Sequence, residues 1–452
     1  MMLSKFKRAK CLHQLCCLPR IPQIINDVQT LYCPKSFRSK LLELIAQATQ
    51  YICLVALYFE KDEAGKSILN ALYQAKKQRP ELKIFVLVDW HRAQRSRIGM
   101  AAINTNADWY CEMAEQNLAT SVPIYGVAVN TREALGVLHL KGSIIDDNVI
   151  YSGASINDIY LYQNDKYRYD RYQVIKNSML AKVMLRYIEQ EILNSGAVQR
   201  LDRRDRPKNS EIKHETKKFR VKLREASYQY INQANHDELA VTPLVGLGKK
   251  NPLNKTINDL ICSTQQRLII CTPYFNLPSL LVRNITTLLR EGKQVEIIVG
   301  DKTACDFYIP EDQPFKIIGI LPYLYEINLR RFLKHLQRYI DSGQLTLRLW
   351  KDGNNSYHLK GVWVDNKWQL ITGNNLNPRA WHLDLENAIL IHDPKQEMHE
   401  QQTKELACIR QYTRIITHHL ELENISQYPV KVHKMIRRMR RIRIDRLINR
   451  IL

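Results

Sequence analysis

The sequence predicts an α/β protein made of two pseudo-symmetric αβα sandwich domains with an active site between them, plus a basic helical C-terminal extension. Two observations carry that prediction: strands alternate with helices, and the alternation is written twice. Residues 52–59 form an apolar, β-branched run ending in Tyr58-Phe59, and residues 268–275 repeat the run and its ending with Tyr274-Phe275. A helical stretch follows each, residues 65–77 and 277–290. Each then leads into a buried-strand pattern closed by an aspartate, Asp89 in one half and Asp301 in the other. A His-x-Lys-x4-Asp segment and a glycine turn complete each half. They are His139, Lys141 and Asp146 before Gly153-Ala154-Ser155-Ile156-Asn157, and His358, Lys360 and Asp365 before Gly373-Asn374-Asn375-Leu376-Asn377. The spacing between equivalent landmarks is nearly constant, which chance does not give.

A chain of 452 residues is too long for one hydrophobic core. Residues 1–30 read as a basic N-terminal segment, 31–200 as the first domain and 219–395 as the second. The polar, charge-rich stretch 201–218 reads as the linker between them. Residues 396–452 read as a helical, basic, membrane-associating region. The 67 Lys and Arg against 45 Asp and Glu leave a net charge of +22. So basic a chain should meet something anionic: nucleic acid, an acidic membrane surface or a phosphorylated substrate. A merely solvated basic surface is the bland alternative. Ten cysteines without a Cys-x-x-Cys pair point to reduced thiols and not to zinc. The N-terminus is basic without a continuous apolar stretch, so no secretory signal is expected. No window reaches 18 uninterrupted apolar residues, so membrane contact should be peripheral.

The motif suits phosphoryl chemistry, and all of its residues, Asp146 and Asp365 included, are expected to be catalytic. Residues i and i+2 of a strand share a face, so His139 and Lys141 should project together, as should His358 and Lys360. A neutral imidazole can attack phosphorus, and an ammonium can neutralise charge building on its oxygens. Two facing copies supply one nucleophile and one proton donor for the leaving group. A carboxylate is needed behind each histidine to fix its tautomer. Glu386 stands before the apolar run 388–391, and Asp170 holds the corresponding place in the first half. Either could instead be a surface charge at a strand start.

The paired motifs resemble the phospholipase D superfamily, and most closely its bacterial peripheral (type I) phosphatidylserine synthases, the CDP-diacylglycerol–serine O-phosphatidyltransferases. The resemblance runs from Leu3 to Leu452. It is carried by residues 86–95, 104–111 and 125–139 in the first half and by 271–278, 321–333 and 373–381 in the second. It implies phospholipase D-like domains and a transfer without metal or cofactor. CDP-diacylglycerol, L-serine and CMP are the implied partners. One histidine attacks the phosphorus nearest the lipid and CMP leaves; the serine hydroxyl then displaces the phosphatidyl-histidine. His139 is expected as nucleophile, with His358 as acid towards CMP and base towards serine, although pseudo-symmetry allows the reverse. Both turns depart from the superfamily's Gly-Ser-x-Asn, so which of Ser155, Asn157, Asn375 and Asn377 touches phosphate stays open. Arg92, Arg95 and Arg97, after the strand ending at Asp89, are candidates for the nucleotide phosphates, and the glycine-lysine stretch 246–250 is a possible diphosphate contact.

The tail, residues 431–452, holds nine Lys and Arg against Asp445 alone. Met435, Ile436, Met439 and Ile442 share one helical side, expected to pack on the protein. Ile444, Leu447, Ile448 and Ile451 share another. That second side, with Arg437, Arg438, Arg440, Arg441 and Arg443, is expected to meet an anionic membrane; a structural helix on the second lobe is the alternative. Tyr323, Tyr325, Phe332 and Tyr339 suit either an interfacial position or a core. The expected location is the cytoplasm, with reversible attachment to the inner face of the cytoplasmic membrane and adventitious binding to ribosomes or nucleic acid at low salt. A cardiolipin synthase-like transferase and a phospholipase D-type nuclease are the rival functions. A non-catalytic lipid-binding protein is a third, disfavoured by two complete motifs.

Overall fold

The computed structural model describes residues 2–95 and 105–442. Two mixed sheets organise them, and their strand orders match. The first lobe runs Val198–Arg200, Ile124–Val127, Lys83–Asp89, Tyr51–Val55, Ser143–Ile145, Asn148–Ser152, Tyr172–Lys176, Val28–Leu31. The second runs Thr413–Ile416, Leu345–Trp350, Gln294–Gly300, Arg267–Thr272, Gly361–Val364, Trp368–Thr372, Leu385–His392, Ala240–Leu247, with Ile21–Pro22 added at the edge. In both, the second to fourth strands are parallel and the rest antiparallel.

Side-chain alternation explains the layers. Ile52 and Leu54 face an outer core shared with Ile68, Leu69 and Leu72 of the helix Glu63–Gln78. Their neighbours Cys53 and Val55 face the opposite way, into a cluster with Leu138, Leu140, Leu385, Ile389 and Ile391. That inner cluster draws on both lobes, so the two sandwiches are welded along the faces that carry the motifs.

Three stretches depart from their sequence reading. The N-terminal segment is no appendage. Helix Met2–Cys16 packs on Pro252–Ser263 of the second lobe with Leu15 buried, Ile21–Pro22 joins the second sheet, and Val28–Leu31 joins the first. In the stretch read as a linker, Leu201 is buried and helix Lys213–Glu225 begins. That helix buries Phe219 and Leu223 in the inner cluster; two apolar residues four apart were hidden by the charges around them. The C-terminal region is not wholly helical, because Thr413–Ile416 forms the edge strand of the second sheet and buries Ile416.

Helix Val430–Arg441 lays Val432 and Ile436, with Met435 and Met439, into a cluster with Tyr323 and Tyr428. Arg437, Arg438, Arg440 and Arg441 are exposed. Ile442, expected on the packed side, is 63% exposed because the helix ends just before it. Arg443, Ile444, Leu447, Ile448 and Ile451 lie outside the described residues, as does Arg97. Tyr323, Tyr325, Phe332 and Tyr339 are all buried, which makes them core and not an interfacial belt. No helix among the described residues is long and apolar enough to cross a membrane.

Candidate active site

The His-x-Lys part of each motif stands just before a regular strand, Ser143–Ile145 or Gly361–Val364, and not within it as expected. His139 N donates to Leu385 O at 3.0 Å, and Leu385 N donates to Val137 O at 3.1 Å. His358 N donates to Tyr169 O at 2.8 Å. Leu385 and Tyr169 each precede the predicted carboxylate, so each motif is strapped by backbone from the other lobe. Such straps are too short to count as strands, yet they tie the histidine backbone to the other lobe.

The carboxylates cross over in the same way. Glu386 of the second lobe sets Oε2 2.9 Å from Nδ1 of His139, and Asp170 of the first lobe sets Oδ2 3.0 Å from Nδ1 of His358. Asp170 also accepts from Lys360 Nζ at 3.2 Å, and that nitrogen lies against His358 Nδ1 as well. Lys141 Nζ reaches the Ala154 carbonyl at 3.3 Å and Ser155 Oγ at 3.5 Å. All four motif side chains are buried, with Lys360 and Lys141 almost inaccessible. The turn glycines make room: a Cβ at 153 would lie 2.6 Å from Asp170 Oδ2 and 2.9 Å from Lys360 Nζ, and one at 373 would lie 2.6 Å from Lys141 Cγ.

Burial dominates the electrostatics. It holds both histidines well below their usual value, with Lys141 adding to the effect on His139 and Lys360 on His358, so both imidazoles are neutral. Burial and then Lys360 bring Lys141 down to about 7, while burial lifts Glu386 to about 8 against the pull of Lys141 and Lys360. Asp170 is raised by burial despite Lys360. Glu386 Oε1 is buried without a hydrogen-bond partner, as is Nδ2 of Asn374, which stands in the turn where Ala154 stands in the other half.

The motif aspartates stand apart from this chemistry. Asp146 accepts from the backbone amides of Thr49, Gln50 and Tyr51, and Asp365 from those of Gln265, Gln266 and Arg267. Both have positive φ, 48° and 54°, at turns beside the starting ends of Tyr51–Val55 and Arg267–Thr272. They are turn residues that fix the register of the strand carrying the motif; the earlier expectation of a catalytic role is corrected on that geometry. Asn157 and Asn377 are likewise occupied as helix N-caps, accepting from Tyr160 N at 3.0 Å and Ala380 N at 2.9 Å. Ser155 alone of the four turn residues meets a motif lysine through its side chain. Asn375 accepts from Thr272 Oγ1 through its carbonyl, and its side-chain oxygen is buried without a partner. Arg92 and Arg95 are paired with Glu133, and Arg92 also lies over the Tyr58 ring. Residues 246–250 mostly close the N-terminus of helix Pro252–Ser263, the Gly248 carbonyl accepting from Asn254 Nδ2 at 3.1 Å.

Several site residues escaped the sequence reading. Tyr160 sets its hydroxyl 3.0 Å from His358 Nδ1. Asn387 clamps Lys141 by accepting from its N–H and donating to its C=O, both at 2.8 Å. Asp89 accepts from Leu138 N at 2.9 Å, positioning the residue before His139. The aspartate-closed strand was legible; its purpose needed the fold. Among the described residues no group of three or more His, Cys, Asp or Glu is arranged to hold a metal ion.

A family model described as "Cardiolipin synthase, PLD-like domain" matches residues 257–408. The chain is 64% identical over 451 residues to CDP-diacylglycerol–serine O-phosphatidyltransferase PssA of Escherichia coli (strain K12), with 100% of each chain covered. The chain belongs to the CDP-diacylglycerol–serine O-phosphatidyltransferase family. A second member, from Haemophilus influenzae (strain ATCC 51907 / DSM 11121 / KW20 / Rd), is 48% identical over 457 residues, again with 100% of each covered. A crystal structure of phosphatidylserine synthase from Haemophilus influenzae Rd KW20 matches with a TM-score of 0.95 at 47% identity, covering 99% of this chain and 100% of that one.

Proposed function

We propose that the enzyme transfers a phosphatidyl group from CDP-diacylglycerol to L-serine through a phosphatidyl-histidine, giving phosphatidylserine and CMP for phospholipid synthesis. The observation that carries the reading is the crossed pair of buried, neutral, carboxylate-backed histidines with a lysine beside each. In the first half, His139 Nε2 forms a bond to the lipid-side phosphorus as the bond to the CMP oxygen breaks. A phosphate monoester has its second pKa at about 6, so CMP leaves with little protonation. In the second half, the serine oxygen bonds to phosphorus, the P–Nε2 bond breaks, and the serine proton passes to His358 Nε2. A neutral, burial-depressed His358 is in the right form for that base step. Lys141 and Lys360 supply the positive charge for the phosphoryl oxygens. The direct test follows CMP release from CDP-diacylglycerol with serine in EDTA. Serine-dependent release is expected; a strict need for an added divalent cation would sink the mechanism.

The working surface in this reading is the anionic leaflet that holds both substrate and product. Arg437, Arg438, Arg440 and Arg441 are exposed on one helix, and each basic residue close to such a surface contributes about 1 kcal/mol. Partition between cytoplasm and the inner membrane face then follows acidic lipid content, and ribosome binding in dilute salt is a by-product of the same charge. A chain ending before Lys431 should lose salt-sensitive sedimentation with anionic liposomes while retaining turnover on detergent-dispersed substrate. Equal sedimentation of both forms would remove the tail from the attachment.

A further inference from the structure

The two half-sites differ most in the charges that flank them. Arg168, two residues before Asp170, stands beside His358; Asp384, two before Glu386, is its counterpart beside His139. Asp384 is closed off: it accepts from Val137 N at 3.0 Å, pairs with Arg379 at 3.1 Å, and its side chain is 6% exposed. Arg168 and Asp306 meet only through one 3.5 Å contact, with 14% of each side chain exposed. That is longer and looser than the bidentate pairs elsewhere, such as Arg171 with Glu405 at 2.8 Å on both nitrogens.

Both poles are tied to His358 through a tyrosine. The Arg168 guanidinium lies over the Tyr160 ring at 4.9 Å, and the Tyr160 hydroxyl touches His358 Nδ1. Tyr274 donates its hydroxyl to Asp306 and sets its ring edge-on to His358, with centroids 6.3 Å apart. Asp306 is kept anionic: burial pushes its carboxyl up, but the Arg168 guanidinium and the Tyr274 hydroxyl act against that and the net shift is down. The other half has Tyr58 as the counterpart of Tyr274 but no counterpart of Tyr160. The third residue after Asn157 is Tyr160, whereas the third after Asn377 is Ala380.

The geometry points to Asp306 and Arg168 as the subsite for the α-amino acid zwitterion of the acceptor, Asp306 taking the ammonium and Arg168 the carboxylate. The inference rests on the transfer reading above and deepens it. An acceptor held by both poles presents its hydroxyl towards His358, which makes His358 the base for the second half-reaction and leaves His139 to carry the phosphatidyl group. Opposite charges a few ångströms apart match a zwitterion and match neither a neutral polyol nor an anionic glycerol phosphate, so acceptor choice is set here.

The test uses the full-length enzyme and compares L-serine with ethanolamine, which lacks the carboxylate, and 3-hydroxypropionate, which lacks the ammonium. Exchange of labelled CMP into CDP-diacylglycerol, which needs no acceptor, is followed in parallel. Asp306→Asn should raise the serine KM by about tenfold to a hundredfold, lower the ratio of transfer to exchange accordingly, and narrow the preference for serine over 3-hydroxypropionate. Arg168→Gln should instead narrow the preference for serine over ethanolamine. Unchanged analogue preferences in both variants, with transfer and exchange falling together, would reduce the pair to a structural ion pair and overturn the inference. Should Asp306→Asn not fold, Arg168→Gln decides alone by whether its serine-to-ethanolamine preference moves. Wild-type enzyme that exchanges CMP but transfers to neither serine nor the analogues would instead bring down the serine-transfer reading itself.

Discussion

His139 and His358 look equivalent in sequence, yet their surroundings are not. Nδ1 of His358 has three neighbours, Asp170, Tyr160 and Lys360, whereas Nδ1 of His139 has Glu386, whose second oxygen is buried and unpartnered. The first ring is anchored from several sides; the second retains hydrogen-bonding capacity beside it. This division suits a base that must stay put and a nucleophile whose environment must accept a new bond and charge. It also teaches that the two copies of a motif can hold the same side chains and still differ through what surrounds them.

The sharpest way to break the comparison is to remove each ring. His139→Ala and His358→Ala should each lower overall transfer by about a thousandfold or more. They should part company in single turnover: with radiolabelled CDP-diacylglycerol and no serine, His358→Ala should acquire acid-labile label on the protein and His139→Ala none. The opposite pattern would exchange the two roles. Next in size are the carboxylates. Asp170→Asn disturbs both a histidine and a lysine, Glu386→Gln a histidine alone. Losses of about 10²–10⁴ are expected, with Asp170→Asn the larger in kcat; equal losses would erase the asymmetry.

The pH profile should sharpen the comparison further. Glu386, at about 8, must be ionised to leave Nε2 of His139 as the free lone pair, while Lys141, at about 7, must be protonated to neutralise phosphate. The free-enzyme profile, kcat/KM, should therefore fall below about 7 and above about 8 and be flat between, the two limbs belonging to the coupled pair. An anionic substrate raises the lysine, so the alkaline limb of kcat should lie higher. A profile level from pH 6 to 9 would mean that neither group gates the reaction. The smallest expected effect concerns the motif aspartates. Asp146→Ala or Asp365→Ala removes an acceptor for three backbone amides and should cost about 1–3 kcal/mol of stability, read by denaturant unfolding, with far less effect on kcat than either histidine change.

The duplication, the α/β layering, the two histidines and two lysines that the fold brings together and both carboxylates beside them were legible because each leaves a local signature: strand-length apolar runs, an i, i+2 pair, a charge at a strand start. The crossing of Glu386 to His139 and of Asp170 to His358 was not, because it is a contact between residues about half a chain apart and no periodicity records it. The aspartates misled for a related reason. A residue fixed in a motif by backbone geometry, here a left-handed turn, leaves the same trace as one fixed by chemistry. Helix Lys213–Glu225 was hidden by composition, since its buried face is only Thr216, Phe219 and Leu223 among charges.

The backbone straps, Leu385 across His139 and Tyr169 across His358, mean that neither lobe contains a finished half of the reaction. Such an arrangement is what two identical subunits would form about a twofold axis through the site, each lending its partner a carboxylate. In a symmetric pair every substitution would appear on both sides at once. Joining the copies in one chain releases that constraint, so Tyr160 can occupy the position that Ala380 holds in the other half, and Arg168 the position of Asp384. A symmetric ancestor could offer its acceptor two identical mouths; the fused chain can tell its two substrates apart by the side from which each arrives.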